Sequence, residues 1–294
     1  MVYEKSVDIK DYMDLKKPCV ICGKSEFEIW AKLDFYEALQ CKRCKMISIN
    51  PPPTEEGLTK FYSGYLKFRL NNKKAQVLLE QRKKTYQVDH SWITKFVDHG
   101  EVLDVGCGGG HFLSTFDSDK WNRLGIDIEN EDAEFARKQY DIDVKVGFFP
   151  KVPLERRFDL VIMRGVIEHI RDPIQYLKKC SEIIKTGGFL FITATPSGDS
   201  FAFNVYREKW HLFTPPEHLH FFTVRLLTKK LEEFGFSLVD FHYQYEETPY
   251  EDSEKDQEKI LSDIRLIQQG RFNEIESSPP FIGSMLTSVW KKID

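Results

Sequence analysis

The sequence is short of the features that mark a membrane, secreted or nucleic-acid-binding chain. Among its 294 residues no apolar run approaches the ~20 needed to span a bilayer, and Met1-Val2-Tyr3-Glu4-Lys5 lacks the apolar stretch of a signal peptide. The expectation is a cytoplasmic protein without a membrane partner. Positive charge is not in surplus either: 42 Lys and Arg face 46 Asp and Glu, for a formal charge of −4. A nucleic acid, which favours a basic footprint, is therefore not an expected partner. Cysteine is scarce: two of the six, Cys107 and Cys180, are isolated, and no disulfide framework is implied. The length suits one large domain with a small appendage, and at this size roughly three quarters of the unfolded chain's surface can be buried without staples.

What the chain does contain is organised around residues 101–112. Val102-Leu103-Asp104-Val105 reads as a buried strand that breaks into a glycine-dense turn and resumes as helix from His111. Strand, glycine turn and helix form the nucleotide-binding corner of an open α/β sheet, where ligands sit beyond the carboxyl ends of the strands. The dinucleotide fingerprint G-x-G-x-x-G starting at Gly106 would need glycine at 111, where His111 stands, and no G-K-[S/T] follows to make a P-loop. The spacing that fits is acidic-x-G-x-G-x-G: Asp104, Gly106, Gly108 and Gly110. Glycines here let the backbone approach a ligand closely, because no Cβ intervenes. Taken alone, the same stretch also reads as a plain tight turn. A second strand, 123–129, carries Asp127 twenty-one residues past Gly106, where such a site places a carboxylate on ribose hydroxyls, with Glu129 as the fallback.

The first motif resembles that of class I methyltransferases, which use S-adenosylmethionine. Downstream, the strand 158–163 runs into Arg164-Gly165-Val166-Ile167-Glu168-His169-Ile170-Arg171-Asp172-Pro173. This is similar to the E-H-hydrophobic-x-D-P signature of the methyltransferases of ubiquinone and menaquinone biosynthesis. The helix 174–184, Lys185-Thr186-Gly187-Gly188 and the strand 189–196 continue that family's rhythm. The resemblance implies an α/β fold: a seven-stranded, Rossmann-like sheet whose last strand, 284–291, runs antiparallel beside a sixth, 237–243. It implies S-adenosylmethionine as cofactor, held by Asp104, Gly106, Cys107, Gly108, Gly110, Asp127 and Ile128. Phe148 would lie at the adenine, although a core role is equally open to it, and Met163 and Arg164 at the strand end would face the methyl-donor pocket. In ubiquinone-type enzymes a further acid precedes this motif and joins a metal site. Gly165 stands there in this chain, so that metal is not carried over.

Ahead of this domain, Cys19, Cys22, Cys41 and Cys44 form two C-x-x-C pairs around eighteen residues that suit a β-hairpin. Two such knuckles close a tetrahedral four-cysteine site, a zinc ribbon with structural zinc, and leave no open position for catalysis. Gly23 relieves the backbone after the first knuckle. The prolines at 51–53 make a stiff boundary. The chain divides into a ribbon with polar lead-in (1–50), a helical linker or lid (51–98) and the methyltransferase domain (99–294), with an acceptor-loop insertion at about 197–222. Tyr62 and Tyr65 in the lid are candidates to touch the ligand, with core packing as the plainer reading. The residues 258–269 read as a solvated surface helix.

The insertion is rich in aromatics and histidines. Trp210-His211 and then Pro216-Glu217-His218-Leu219-His220-Phe221 resemble a stretch of ribbon-bearing methyltransferases that serve sugar, surface-glycan or secondary-metabolite pathways. The resemblance implies a small-molecule acceptor. His218 is the candidate base or orienter, with His169 and His211 behind it; for His169 a hydrogen-bonded structural role is the competing reading. The insertion lacks thiolates or a clear facial set, so no metal is assigned to it. The function that follows is methyl transfer to a small hydroxylated metabolite, as O-methylation. The alternative is an RNA or protein acceptor docked by the ribbon, whose tip carries Lys42, Arg43 and Lys45.

Overall fold

Strands such as Phe158-Asp-Leu-Val-Ile-Met-Arg are apolar on both faces and so belong in the middle of a covered sheet. A computed structural model describes residues 9–62, 73–248, 250–279 and 283–294. In chain order it contains β1 (Phe27–Leu33), β2 (Tyr36–Cys41), β3 (Ile47–Ile49), α1 (Glu55–Tyr62), α2 (Lys73–Ile93), β4 (Gly100–Val105), β5 (Trp121–Asp127), α3 (Asn130–Tyr140) and β6 (Asp143–Val146). There follow β7 (Phe158–Arg164), α4 (Pro173–Ile183), β8 (Ile184–Pro196), α5 (Phe201–Tyr206), β9 (His220–Phe221), α6 (Val224–Glu232), β10 (Phe236–Tyr243), α7 (Ser253–Gln268) and β11 (Met285–Lys292). Tyr65 and residues 280–282 lie outside the described residues.

The main sheet has the order β10-β11-β8-β7-β4-β5-β6, with β11 antiparallel to both neighbours. From β4 the chain steps outward to β5 and β6, then returns to β7 on the other side of β4. That reversal opens a crevice at the carboxyl ends of β4 and β7. The register pairs Val105 with both Ile126 and Met163, so the glycine turn leaves the sheet level with the ends of its two neighbours.

Three local expectations are corrected. No α-helix follows the glycine turn: only a single 3₁₀ turn, Leu113–Thr115, forms before Phe116 buries itself and the 117–120 turn leads into β5. Half a dozen residues between a glycine run and a turn are too few to offset helix nucleation. Lys185-Thr186-Gly187-Gly188 does not cap α4 but lies inside β8, as a bulge between the Phe158–Ile184 and Leu160–Phe189 pairs. Lys185 Nζ donates to Asp159 Oδ2 at 2.7 Å across that bulge. The helix α7 is not merely solvated: its buried Asp263 accepts from Tyr206 Oη at 2.8 Å, tying it to the insertion helix α5.

The N-terminal hairpin of β1 and β2 continues through β3, and β3 pairs antiparallel with β9 of the insertion, Ile47 opposite Phe221 and Ser48 opposite His220. One apolar cluster joins Trp30, Ala38, Ile47 and Ile49 of the ribbon to Phe203, Tyr206, Trp210 and Phe221 of the insertion. Trp30 stacks on Phe203 with centroids 4.1 Å apart, and Arg207 Nη1 donates to the Trp30 carbonyl at 2.6 Å. Each such aromatic buries about 150–250 Å² and so dominates the contact it sits in. The ribbon and the insertion therefore share one core.

Candidate active site

A cavity of about 1280 Å³ lies at the carboxyl ends of β4, β5 and β7, roofed by α1 and α2, the ribbon and the insertion. On its donor side Gly106, Gly108 and Gly110 all take positive φ, the left-handed region that favours glycine. At Gly106 a Cβ would meet Val166 Cγ2 at 2.8 Å, whereas at Gly108 it would find only Asp132 Oδ2 at 4.0 Å. Gly106 is therefore required by packing, and Gly108 is the point where the backbone lies open to the cavity. Its N–H donates to Asp127 Oδ2 at 2.7 Å, and the Glu129 N–H donates to Asp127 Oδ1 at 3.1 Å. Burial raises the pKa of Asp127 and these backbone donors oppose the rise. A carboxylate has about four acceptor sites, so two remain for vicinal hydroxyls.

Asp104 is 2% exposed, and its Oδ1 has no hydrogen-bond partner among the described residues. Burial, with the charge of Asp127 added, pushes its pKa up to about 8, while Arg164 pulls the other way. An orphaned buried acid beside an open glycine backbone, with a second acid at the ribose position, fits a nucleoside that carries an ammonium group. S-adenosylmethionine is such a molecule.

Of the residues expected to hold it, Asp104, Gly106, Cys107, Gly108, Asp127, Ile128, Phe148 and Arg164 line the cavity. Gly110 and Met163 do not. A Cβ at Gly110 would meet Ala136 Cβ of α3 at 3.0 Å, and Met163 lies fully buried in the core. Phe148 meets Tyr176 edge-on at 5.4 Å, a flat apolar wall below β6. Arg164 donates from Nε to Asp89 Oδ2 at 2.9 Å and lies over the ring of Tyr86 at 4.6 Å, so it anchors α2 to the sheet. Asp89 is fully buried and is also held by Thr193 Oγ1 at 3.2 Å. An acid in mid-helix gave no sequence signal of that role. Gln244 was missed for the same reason: it is 8% exposed, lines the cavity, and its Nε2 has no partner among the described residues.

On the acceptor side the loop before β9 is pinned to the end of β7: Leu219 N and His220 N both donate to the Glu168 carbonyl, at 2.8 and 3.2 Å. This brings His218 beside His169, with ring centroids 4.9 Å apart. His169 Nδ1 lies 2.6 Å from the Glu217 carbonyl and His218 Nδ1 lies 2.6 Å from the Leu212 carbonyl. A carbonyl only accepts, so each Nδ1 carries the proton and each Nε2 keeps its lone pair. Tyr62 Oη, 3.1 Å from His169 Nδ1, donates to the Glu217 carbonyl at 3.2 Å. Burial first, then neighbouring His218, holds the pKa of His169 down at about 3; burial also lowers that of His218. Glu168 is 1% exposed, and burial pushes its pKa up to about 8. Its Oε2 accepts from Thr195 Oγ1 at 3.2 Å, and its Oε1 lies 3.5 Å from His169 Nε2.

The third candidate base, His211, stands apart. It leans on Ser278 Oγ through both its backbone N–H and Nδ1, and burial, with His218 adding to it, lowers its pKa to about 4. It lines the cavity but does not join the Glu168–His169–His218 group. His220 is structural, its Nδ1 2.9 Å from Ser48 Oγ of β3.

In the ribbon the four cysteine Sγ atoms lie within 4.8 Å of one another, the closest pairs being Cys19–Cys44 at 3.4 Å and Cys22–Cys41 at 3.5 Å. Each knuckle closes alike: Gly23 N donates to the Cys19 carbonyl at 2.8 Å and Lys45 N to the Cys41 carbonyl at 2.9 Å, both residues at positive φ. Four converging thiols fit a tetrahedral thiophilic ion.

A family model described as Methyltransferase domain matches residues 39–240. The chain is similar to the ubiquinone biosynthesis O-methyltransferase of Dinoroseobacter shibae, 30% identical over 155 residues, which are 47% of this chain and 60% of that enzyme. It is also similar to the enzyme of the same name from Pelagibacter ubique, 25% identical over 160 residues, 48% of this chain and 67% of that one. The chain thus spans about 60% of the length of the first of these relatives. Among solved structures, magnesium protoporphyrin IX methyltransferase from Synechocystis shares the fold, with a TM-score of 0.55 at 13% identity over 81% of this chain and 100% of that one. A sheet of this order, a glycine turn at its switch point and a family match over most of the chain lead to one assignment: the chain belongs to the class I S-adenosylmethionine-dependent methyltransferases.

Proposed function

We propose that the protein transfers the methyl group of S-adenosylmethionine to a hydroxyl oxygen of a small, hydroxylated organic molecule, such as a sugar, a glycan intermediate or a natural product. The observation that carries the reading is the pair of neutral imidazoles on the acceptor wall, in each of which Nε2 is left as the basic atom because Nδ1 is spent on a carbonyl. Bound S-adenosylmethionine supplies an activated electrophile, a methyl carbon on a sulfonium. The protein's own task is alignment and exclusion of water. Asp127 holds the ribose, Asp104 the ammonium, and the open backbone at Gly108 admits the donor's close approach. The acceptor oxygen attacks the methyl carbon as the carbon–sulfur bond breaks toward sulfur, and the hydroxyl proton passes to Nε2 of His218, with His169 beside it orienting the acceptor. The O-methyltransferase names of the relatives support oxygen as the methylated atom.

A small acceptor is favoured over RNA or protein by the shape of the site, which is roofed by the lid, the ribbon and the insertion. The basic ribbon tip is also partly spent, since Lys45 pairs with Glu28. The four cysteines are proposed to hold one structural zinc, and the ribbon, lid and catalytic domain to work as one body. The test is incubation with methyl-labelled donor and a metabolite extract, separated by size. Label in small molecules that resists base hydrolysis and is released as iodomethane by hot hydriodic acid, as a methyl ether is, supports the reading; label only in protein or RNA would falsify it.

A further inference from the structure

We infer that Gln244, one residue past β10, selects the acceptor: its side-chain amide donates to an uncharged oxygen, a carbonyl or hydroxyl, at the end of the acceptor remote from the methylated hydroxyl. This deepens the proposed function and rests on it for the ligand's being a methyl acceptor. The placement follows from the sheet. In the order β10-β11-β8-β7-β4, the strand of Gln244 lies four steps from that of Asp104 and three from β7. Neighbouring strands are about 4.8 Å apart, so Gln244 stands roughly 19 Å across the sheet from the acid proposed to hold the donor's ammonium. The donor, held on β4 and β5, runs away from it. The turn that carries His169 is closer, about 14 Å off by the same spacing. Between the two, the cavity is lined by Gly165, Ala194 and Met285, and Gln244 N donates to the Met285 carbonyl at 3.0 Å.

The amide is built in and unanswered. Gln244 is 8% exposed, lines the cavity, and keeps an Nε2 without a partner among the described residues. A buried donor with no acceptor is costly, and a ligand oxygen removes that cost. The chain around it is tied down: Tyr245 Oη donates to Asp256 of α7, and Thr85 Oγ1 of α2 donates to the Glu247 carbonyl at 3.4 Å. His211 adds a second donor to the same cavity. Its backbone N–H occupies Ser278 Oγ at 3.1 Å, so the serine proton turns to Nδ1, 3.3 Å away, and the ring proton stays on Nε2. That Nε2 is also buried without a partner among the described residues. Both donors are uncharged, and Arg164, on the strand between Gln244 and Asp104, is spent on Asp89. This suits a neutral oxygen rather than a carboxylate or phosphate. Allowing for the reach of the side chain, an oxygen bound there lies about two strand spacings, roughly 10 Å, from the methylated hydroxyl. Two linked rings span that length and a single sugar ring does not. The cavity, about 1280 Å³, has room for such a molecule beside the donor.

The experiment incubates a metabolite extract and methyl-labelled donor with the wild type, Gln244→Leu and Gln244→Glu, and resolves the products by size. The main wild-type product is expected at the size of two linked rings. Gln244→Leu should slow its labelling about tenfold to a hundredfold at limiting extract and much less at saturating extract, a loss in KM rather than kcat. Both variants should bind S-adenosylhomocysteine within about twofold of the wild type, which also shows that they fold. Gln244→Glu keeps the size and separates hydrogen bonding from packing. An ionised carboxylate only accepts, whereas a protonated one donates, and burial favours the protonated form. Its rate relative to wild type should therefore climb as pH falls from about 8 to about 6, while that of Gln244→Leu stays level. Unchanged labelling by both variants, equal and pH-independent losses in the two, or a main product of single-ring size would overturn the assignment. Label found only in macromolecules, with both variants still showing these effects, would instead sink the small-molecule reading and leave Gln244 as an acceptor contact.

Discussion

At the scale of single residues, two acids at neighbouring strand ends are asked to do opposite things. Asp127 already accepts two backbone N–H groups, whereas Asp104 Oδ1 has no partner among the described residues and is proposed to meet the donor's ammonium. Replacing Asp127 by Ala removes charge-assisted bonds worth about 1.5–3 kcal/mol, so S-adenosylhomocysteine should bind roughly ten- to a hundredfold more weakly in a calorimetric titration. Unchanged affinity would defeat its assignment to the ribose. Asp104 carries a pH signature. Its folded pKa, pushed up to about 8, lies above its ordinary value of 3.8, so in the donor-free protein it is largely protonated near neutrality. An ammonium binds the ionised form, so affinity should rise between pH 6 and 7.5, and binding at pH 7 should release a proton, read as a buffer-dependent enthalpy. Asp104→Asn should abolish both effects. Stability moves the other way: a folded pKa above the unfolded one means that this group's contribution is complete in acid and is lost as pH rises through about 8. The asparagine variant should therefore melt higher than wild type at pH 8 without donor, and a lower midpoint would count against the buried charge.

At the scale of elements, what the sequence revealed was whatever local chemistry dictates. The apolar run of β4 and its spaced glycines needed no distant partner to be read, nor did the two cysteine knuckles. Gly106 shows how strict that chemistry is: with φ at +72° and Val166 Cγ2 at 2.8 Å from a built Cβ, Gly106→Ala should cost about 1–3 kcal/mol. Adding Val166→Ala should return part of that cost, the share due to the clash, and thermal melts of the single and double variants read the difference. Full additivity would show that backbone strain alone is at work. What escaped the sequence depended on pairings far along the chain. The glycines of 185–188 look like a helix stop, yet Asp159 on a neighbouring strand draws Lys185 across and turns them into a bulge. The periodicity of α2 is similarly ambiguous: Val77, which fits its apolar face, is 59% exposed, whereas Ile93 is fully buried. His169 and His218 were visible as candidates from their motifs. Their partner Glu168 was visible only as a letter in a signature, because nothing local says that its carboxyl lies dry beside two imidazoles.

At the scale of the molecule, the four-cysteine ribbon looks in sequence like a detachable module, and its contacts say otherwise. Its third strand hands on to β9, the Ile49 N–H donates to the Leu219 carbonyl at 2.8 Å, and Cys19 and Cys41 sit in the same apolar cluster as Leu103 and Met163 of the central sheet. His218 is one residue from that junction. Removing zinc should therefore do more than melt an appendage. A chelator strong enough to strip the thiolates should lower the melting midpoint of the whole chain, and hydrogen exchange should rise together at residues 47–49 and 218–222, while the central strands β4 and β7 stay protected. Because the acids and glycines proposed to hold the donor hang on β4 and its neighbour β5, S-adenosylhomocysteine should still bind the stripped protein, within about tenfold of its original affinity, as methyl transfer fails. Exchange that rises over residues 19–49 and leaves 218–222 as protected as before would show that the acceptor wall stands without the ribbon, and would separate what the β3–β9 pairing joins.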